Sequence, residues 1–335
     1  MKKLIFTIAT LLSFYSISNA QVALNCRDII PKNPWMILKE MEASDYEYIK
    51  NSMTIFVVPD KDENRIPEFE EMLSEVWNIS PFHVVTKDKL YTYVGKEGYT
   101  YFVFKSGGYV IYSSNTSKSV QYFAYNFSNT LETNKNERKY ARIYLSVPKE
   151  FGLGLDRDAK GLKKYDPTKY NSDGTKAQTN SDEIYNWDIG FLRGYLKEIN
   201  DGITNKSIVA LSDKYINESK AAALKTDTLY LSEDLYRYPK NVLGLRDVFH
   251  LKELEKVTKY YKYPVKFLPK ATLSDMIMNN QDGILYGTIV YQLNKAYVAI
   301  YDSKSNQLLL KFQMKEEPNK INKILSKTSN MISKI

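Results

Sequence analysis

Two stretches of the chain repeat one arrangement of apolar and polar positions. Thr54-Ile-Phe-Val-Val-Pro-Asp60 and Thr228-Leu-Tyr-Leu-Ser-Glu-Asp234 both read as a short buried strand running into a turn at an aspartate. Further on, Pro81-Phe-His-Val-Val-Thr-Lys87 precedes Leu90, and Pro264-Val-Lys-Phe-Leu-Pro-Lys270 precedes Leu273. Between the members of each pair lies a helical stripe. Phe69, Met72, Leu73 and Val76 follow Pro67, which suits a first helical turn. Leu251, Leu254, Val257, Thr258 and Tyr261 make the second stripe. Both helices end before the proline that opens the next strand, because a residue preceding proline is pushed out of helical geometry. A third strand opens at Tyr101–Phe104 in one half and at Ile284–Tyr286 in the other. Extra strands follow at Tyr109–Tyr112, Tyr297–Tyr301 and Leu308–Phe312.

The pattern predicts an α/β fold, with α+β as the alternative. It consists of two related strand-helix-strand-strand units with mixed sheets and helices on one or both faces. The halves differ in one place. Thr272–Asn280 reads as a short helix, whereas Leu90–Tyr101 suits a hairpin around Gly95 and Gly98. Tyr140–Val147 alternates like a strand. Residues 151–182 are rich in Gly, Asp, Lys, Asn and Thr, which predicts a mobile polar excursion. A helix capped by Ser181 or Asp182 should then carry Ile184, Trp187, Phe191, Leu192, Tyr195 and Ile199 on one face, with a second helix over Ser207–Leu224. This antiparallel pair would join the units. The chain closes in a Lys-rich helix over Asn319–Ile335.

The first twenty residues have a different character. Lys2 and Lys3 precede an apolar run from Leu4 to Ile17, and Ser18-Asn19-Ala20 places small residues where a signal peptidase reads them. The run is shorter than the roughly 20 residues of a spanning helix. The expected division is therefore a signal peptide over 1–20, cleaved between Ala20 and Gln21, and a first unit over 21–150. The excursion over 151–182 and a helical connector over 183–225 follow, then a second unit over 226–335. The expected address is export, to the periplasm, the outer membrane or the medium, with no transmembrane segment in the mature chain.

Charge adds little. The chain carries 47 Lys and Arg against 39 Asp and Glu, a net of +8 spread along its length, without the basic stripe of a nucleic-acid binder. Cys26 is the one cysteine, so no internal disulfide can form. Asn25 directly before it departs from the small residue of a lipidation site. Tyrosine is abundant, 28 of 335 residues, beside many Lys, Asn and Ile, a bias that an AT-rich genome also produces.

Candidate chemistry is sparse. His83 sits inside a predicted strand and His250 near a helix start, neither with a second imidazole or cysteine at ligand spacing. Nucleophile-elbow and phosphate-cradling motifs are missing. Asp156-Arg-Asp158-Ala-Lys160-Gly161 begins like a calcium loop, but Lys160 at the fifth position would repel the ion and Pro167 replaces the closing glutamate. No catalytic residue, metal site or cofactor is assigned. A glycan hydrolase working through scattered carboxylates is the runner-up, and it requires two carboxyl groups roughly 5–10 Å apart in an acidic cleft. The remaining candidate site is aromatic. Tyr91, Tyr93, Tyr99 and Tyr101 alternate at strand spacing, and a carbohydrate-binding role would require Tyr99 and Tyr101 to be exposed.

The order of elements and the phrase from Ser74 to Leu90, SEVWNISPFHVVTKDKL, resemble the amino-terminal α/β domains of periplasmic Tol-system and curli-secretion proteins. The likeness covers residues 54–104 and extends to 228–312. The chain is also similar to secreted proteins of unknown function with two such α/β units joined by helices. These resemblances imply non-enzymatic assembly roles at the cell envelope, with an envelope protein or a glycan as partner and no nucleic acid. They carry no catalytic residue to this chain.

Overall fold

The computed structural model describes residues 21–24, 41–112, 117–131, 137–146, 184–209, 214–235, 258–292, 295–315 and 321–335. The expectations for residues 1–20, Cys26, 151–182, His250, Leu251, Leu254 and Val257 lie outside these residues.

The first unit begins with β1 (Val22–Leu24), α1 (Ala43–Asn51) and β2 (Met53–Val58). Then come α2 (Ile66–Val76), β3 (Phe82–Thr86), β4 (Tyr99–Tyr112), β5 (Ser117–Ser128) and β6 (Lys139–Leu145). The second unit holds β7 (Tyr215–Ile216), β8 (Leu229–Ser232), β9 (Val265–Leu268), β10 (Leu285–Gln292), β11 (Lys295–Asp302) and β12 (Gln307–Lys315). Between the units runs α3 (Ile189–Thr204), and the second unit adds α4 (Glu218–Ala221), α5 (Lys270–Asn279) and α6 (Ile321–Ile332).

Each unit builds a six-stranded sheet of the same order, β1-β6-β5-β4-β2-β3 and β7-β12-β11-β10-β8-β9. In both, the strand next to one edge, β2 or β8, runs parallel to its two neighbours and the remaining pairs are antiparallel. Parallel pairing needs a crossover, and α2 supplies it between β2 and β3. Pro67 sits in its first turn, and Phe69, Met72, Leu73 and Val76 form its buried face, as their spacing predicts. The strands β2 and β8 are short and rich in Val, Ile and Leu because parallel inner strands are covered on both faces.

The correspondence extends to single residues. Thr54 N–H donates to Pro81 O at 2.8 Å, and Leu229 N–H to Pro264 O at 3.0 Å. Thr54 pairs with Phe82 and Thr100, as Leu229 pairs with Val265 and Leu285. A β-bulge falls at the same register in both sheets, leaving Tyr140 unpaired between Phe127 and Ser128 and Leu309 unpaired between Ile300 and Tyr301. Val84 and Phe267 are equivalent, opposite Phe56 and Leu231. Thr54 matches Leu229 rather than Thr228. Aligning the two aspartates therefore displaced the first strand by one residue.

Helix α3 sits between the two sheets. Its apolar residues Phe191, Leu192, Tyr195, Leu196 and Ile199 join one continuous core that includes Phe102 and Phe127 of the first sheet and Tyr286 and Tyr301 of the second. Glycines permit the close approach. A Cβ on Gly190 would lie 2.7 Å from the Ser274 carbonyl of α5, one on Gly194 would strike the Tyr286 hydroxyl, and one on Gly202 would strike Leu24. The outer face of the second sheet has its own core with α6, through Leu310, Phe312, Ile324 and Leu325.

Several expectations are corrected. Helix α3 starts at Ile189, not after Ser181 or Asp182, because the Asp188 side chain accepts the Ile189 N–H and caps it. Among the described residues of Ser207–Leu224, helix is confined to the end, where α4 runs into a 3-10 turn over Ala222–Lys225. Val209 instead exchanges two backbone bonds with Leu24 at the edge of the first sheet, and Tyr215–Ile216 pair with β12. Open sheet edges captured a segment whose local pattern read as helical, so one helix, not an antiparallel pair, lies between the sheets. Leu90–Tyr101 is not a hairpin. A 3-10 turn over Lys87–Thr92 and positive φ at Gly95 and Gly98 bring the chain round to enter β4 parallel to β2. The stretches Tyr101–Phe104 and Tyr109–Tyr112 belong to one long strand, and β5 is an additional strand.

Candidate functional site

Of the four tyrosines singled out in the sequence, Tyr93, Tyr99 and Tyr101 come together at the first sheet, but not as a strand ladder. Tyr91 lies in the 3-10 turn and is 75% exposed. Tyr93 caps that turn and meets the His83 ring at 6.2 Å and the Tyr99 ring edge-on at 5.4 Å. Tyr101 is 2% exposed, and its hydroxyl donates to the Tyr93 carbonyl at 2.7 Å. Burial, with Tyr48 and Tyr99 nearby, pushes the Tyr101 hydroxyl up to about 12. It packs with Ile55, Val57 and Val103, so Tyr101 is core. The exposure that carbohydrate stacking would need at Tyr99 and Tyr101 together is therefore not met. What stays open is Tyr91, while Tyr93 and Tyr99 are half-buried against that core, with His83 next to Tyr93. His83 Nδ1 lies 4.0 Å from Glu70, both at the surface.

A second group of polar residues is buried between α3 and the second sheet. Glu198 of α3 is 6% exposed, and the Tyr301 hydroxyl donates to its Oε2 at 2.9 Å. The rings of Tyr286 and Tyr301 stack at 5.4 Å, with Tyr195 edge-on to Tyr301 at 6.0 Å. Lys311, fully buried on β12, bears on the same carboxyl. The Tyr195 hydroxyl lies near Thr288 and Asn186 but closes no hydrogen bond to either. Glu198 Oε1, Tyr286 Oη and Thr288 Oγ1 are also buried without a partner.

Burial is the main influence on Glu198 and pushes its carboxyl up to about 8. Lys311 and the Tyr301 bond pull it down, and Asp201 pushes it up. The three tyrosine hydroxyls are raised for the same main reason, desolvation. Sequence reasoning missed this site. Its signal was the spacing Tyr195, Glu198, Ile199 and Gly202, which places an acid inside an apolar helical stripe.

Other charged groups serve the frame. Arg65 reaches from the turn before α2 to Asp188 at 3.0 Å, and Arg193 of α3 reaches Glu75 of α2 at 2.6 Å. Arg138 pairs with Asp45 at 2.6 Å and so holds α1 against the start of β6. Among the described residues no three His, Cys, Asp or Glu side chains converge as a metal site, and no helix is long and apolar enough to cross a membrane. Of the cleavage pair, Ala20 lies outside the described residues. Gln21 directly precedes β1, and its Oε1 accepts from Asn186 Nδ2 at 3.3 Å.

No family model matches the chain, and neither the curated proteins nor the solved structures contain a significant match to it.

Proposed function

We propose that this is an exported, non-enzymatic binding or scaffolding protein of the bacterial cell envelope. The address rests on the basic start, apolar run and Ser18-Asn19-Ala20 of the sequence. The observation that carries the role is how the polar and aromatic groups are divided. The strongly perturbed acid, Glu198, is enclosed in the seam between the units, where it braces the frame. Outside that seam, His83, Tyr93 and Tyr99 make a chain of ring contacts at the first sheet, and Tyr91 stands exposed in the 3-10 turn two residues before Tyr93. Rings with an apolar body and polar tip suit recognition of another protein surface. A glycan partner is the second reading, favoured by the exposure of Tyr91.

The test places a photo-crosslinking residue at Tyr91 in cells that make the full chain, followed by fractionation. The expected result is protein outside the cytoplasm and one reproducible adduct on an envelope protein. An adduct on glycan selects the second reading. Turnover by the purified protein in a broad hydrolase screen, lost on replacing His83 or a single acid, overturns the proposal.

A further inference from the structure

The edges of the two sheets are closed to different degrees. In the first sheet, β1 exchanges backbone bonds with Val209, and Val84, Val85 and Thr86 of β3 are all buried. In the second sheet, β7 is a strand of 2 residues. The remaining edge is β9, the equivalent of β3, and it is not closed in the same way. Val265, Phe267 and Leu268 are half-buried, and Lys266 is exposed.

Pairing with β8 fixes which backbone groups this edge leaves open. Leu229 N–H donates to Pro264 O, and Leu229 and Leu231 stand opposite Val265 and Phe267. In a parallel pair, that register turns the N–H and C=O of Lys266 and Leu268 toward β8. Those of Val265 and Phe267 point away from the sheet, and among the described residues nothing pairs with them. Donors and acceptors in such a row are a template for a further strand. Pro269, next in the outward-facing series, has no N–H to give, so the template is short.

The side chains define what fits along it. Val265 and Phe267 pack against the core that the second sheet shares with α6, and Lys266 alternates to the other face. Lys259 and Lys262, on the approach to the strand, are exposed as well. Among the described residues none of these three lysines pairs with an acid. Tyr260, 41% exposed, carries Lys259 over its ring at 5.3 Å. Residues of an added strand lie on the same face as those directly opposite. Apolar side chains would therefore meet Val265 and Phe267, and carboxylates would meet Lys266. Two copies of β9 laid together would instead bring these lysines against one another. The charge that opposes self-pairing thus selects an acidic strand.

We propose that the β9 edge binds an extended acidic segment of a partner protein, in which apolar residues alternate with Asp or Glu, as an added strand of the second sheet. This surface lies in the other unit from the Tyr91 turn, so crosslinking at Tyr91 neither supports nor removes it.

The experiment mixes the purified protein with a capped peptide of alternating Glu and Val and reads hydrogen exchange by mass spectrometry. The expected result is slowed exchange over residues 264–269. A Lys and Val peptide should give no protection, and neither should the Glu and Val peptide methylated on its backbone nitrogens, which keeps its charge but cannot donate. Lys266→Glu alters an exposed side chain and should leave the urea midpoint in place. It should weaken the acidic peptide about tenfold, through a lost attraction and a new repulsion, and admit the basic one. No protection of this segment, equal protection by the methylated peptide, or unchanged binding in Lys266→Glu overturns the proposal. Protection that grows with protein concentration in the absence of peptide makes a second copy the occupant and overturns it too.

Discussion

Arg142 and Lys311 occupy the same position in the two sheets. Arg142 pairs with Asn126 across β6 and β5, two residues beyond the bulged Tyr140. Lys311 pairs with Ala299 across β12 and β11, two residues beyond the bulged Leu309. Both cations are 0% exposed, and both point to the face opposite the helix that closes their unit, α3 in the first and α6 in the second. Their neighbours have diverged. Arg142 donates to Asn126 Oδ1 at 2.7 Å and to the Tyr144 hydroxyl at 3.0 Å, whereas Lys311 bears on Glu198. A buried cation retained at one register, with different partners, is a mark of common descent that chance α/β packing does not supply.

Replacing Arg142 by alanine should therefore leave Asn126 Oδ1 buried without its donor. The expected loss is about 1–3 kcal/mol, read as a lower urea midpoint at unchanged slope. Arg142→Met fills the volume but leaves the same acceptor, so it should recover only part of the loss. A Met variant as stable as the parent would show that the guanidinium contributes little.

Helix α3 approaches α5 through Gly190, whose added Cβ would meet backbone, the Ser274 carbonyl at 2.7 Å and Cα at 3.0 Å. Alanine there gains up to about 1 kcal/mol of helix propensity but overpacks a rigid contact, at a cost of about 1–3 kcal/mol. The net change should be destabilising. At Gly202 the obstacle is the end of the flexible Leu24 side chain, so Gly202→Ala should be milder. Thermal unfolding of the two variants checks the order, and Gly190→Ala the more stable of the pair would contradict this packing.

Strand β3 tests the duplication from the other direction. Val84 is 3% exposed and faces Phe56, while its equivalent Phe267 is only partly buried opposite Leu231. An aspartate at either site places an unpaired charge against apolar side chains. Val84→Asp should abolish cooperative unfolding, and Phe267→Asp should lower the midpoint without abolishing it. Circular dichroism with urea reads both, and a Val84→Asp protein as stable as the parent would remove that residue from the core.

How much of this was legible in the sequence follows from the range of the forces involved. The α2 stripe, Pro67 and the Val84–Phe267 equivalence depend on local periodicity and on proline geometry, and all three were readable. The stretch Ser207–Leu224 was misread because Val209 and Tyr215–Ile216 are held by edges contributed from residues far away in sequence. Glu198 escaped notice for a related reason. Its partner Tyr301 lies 103 residues away, and a lone acid on an amphipathic helix ordinarily faces water. Tyr101 read as a candidate ligand-binding ring because alternation along a strand does not say which face is covered.

The raised Glu198 carboxyl also makes a prediction about global stability. Its folded value, about 8, lies above the 4.5 of an unperturbed group, so between these values the folded chain holds a proton that the unfolded chain has released. Stability from this group is fully present below about pH 4.5 and is lost as pH rises toward 8, by at most about 1.4 kcal/mol per unit. Urea unfolding at pH 5, 6, 7 and 8 should show the decline in the parent, and Glu198→Gln should flatten it. A parent whose stability rises over that range would mean that Glu198 is ionised in the fold.

The last prediction concerns the chain start that the proposed signal cleavage would create. Gln21 directly precedes β1, and Tyr144 N–H donates to its carbonyl at 2.9 Å. Cleavage after Ala20 would leave this edge strand complete and make Gln21 the first residue. Its side-chain oxygen accepts from Asn186, but its Nε2 is buried with no partner. Attack of the new α-amine on the side-chain carbonyl carbon closes a lactam and expels that nitrogen as ammonia. The oxygen that Asn186 holds is kept, and an uncompensated buried donor is removed. If the chain is cleaved there as the export signal proposes, the product should have the mass of residues 21–335 less one ammonia, with no lipid on Cys26. Intact mass spectrometry and Edman resistance check this, and Gln21→Ala should restore an open amino terminus. A lipid adduct on Cys26, or a mass that retains the first twenty residues, would contradict this account of the processed end.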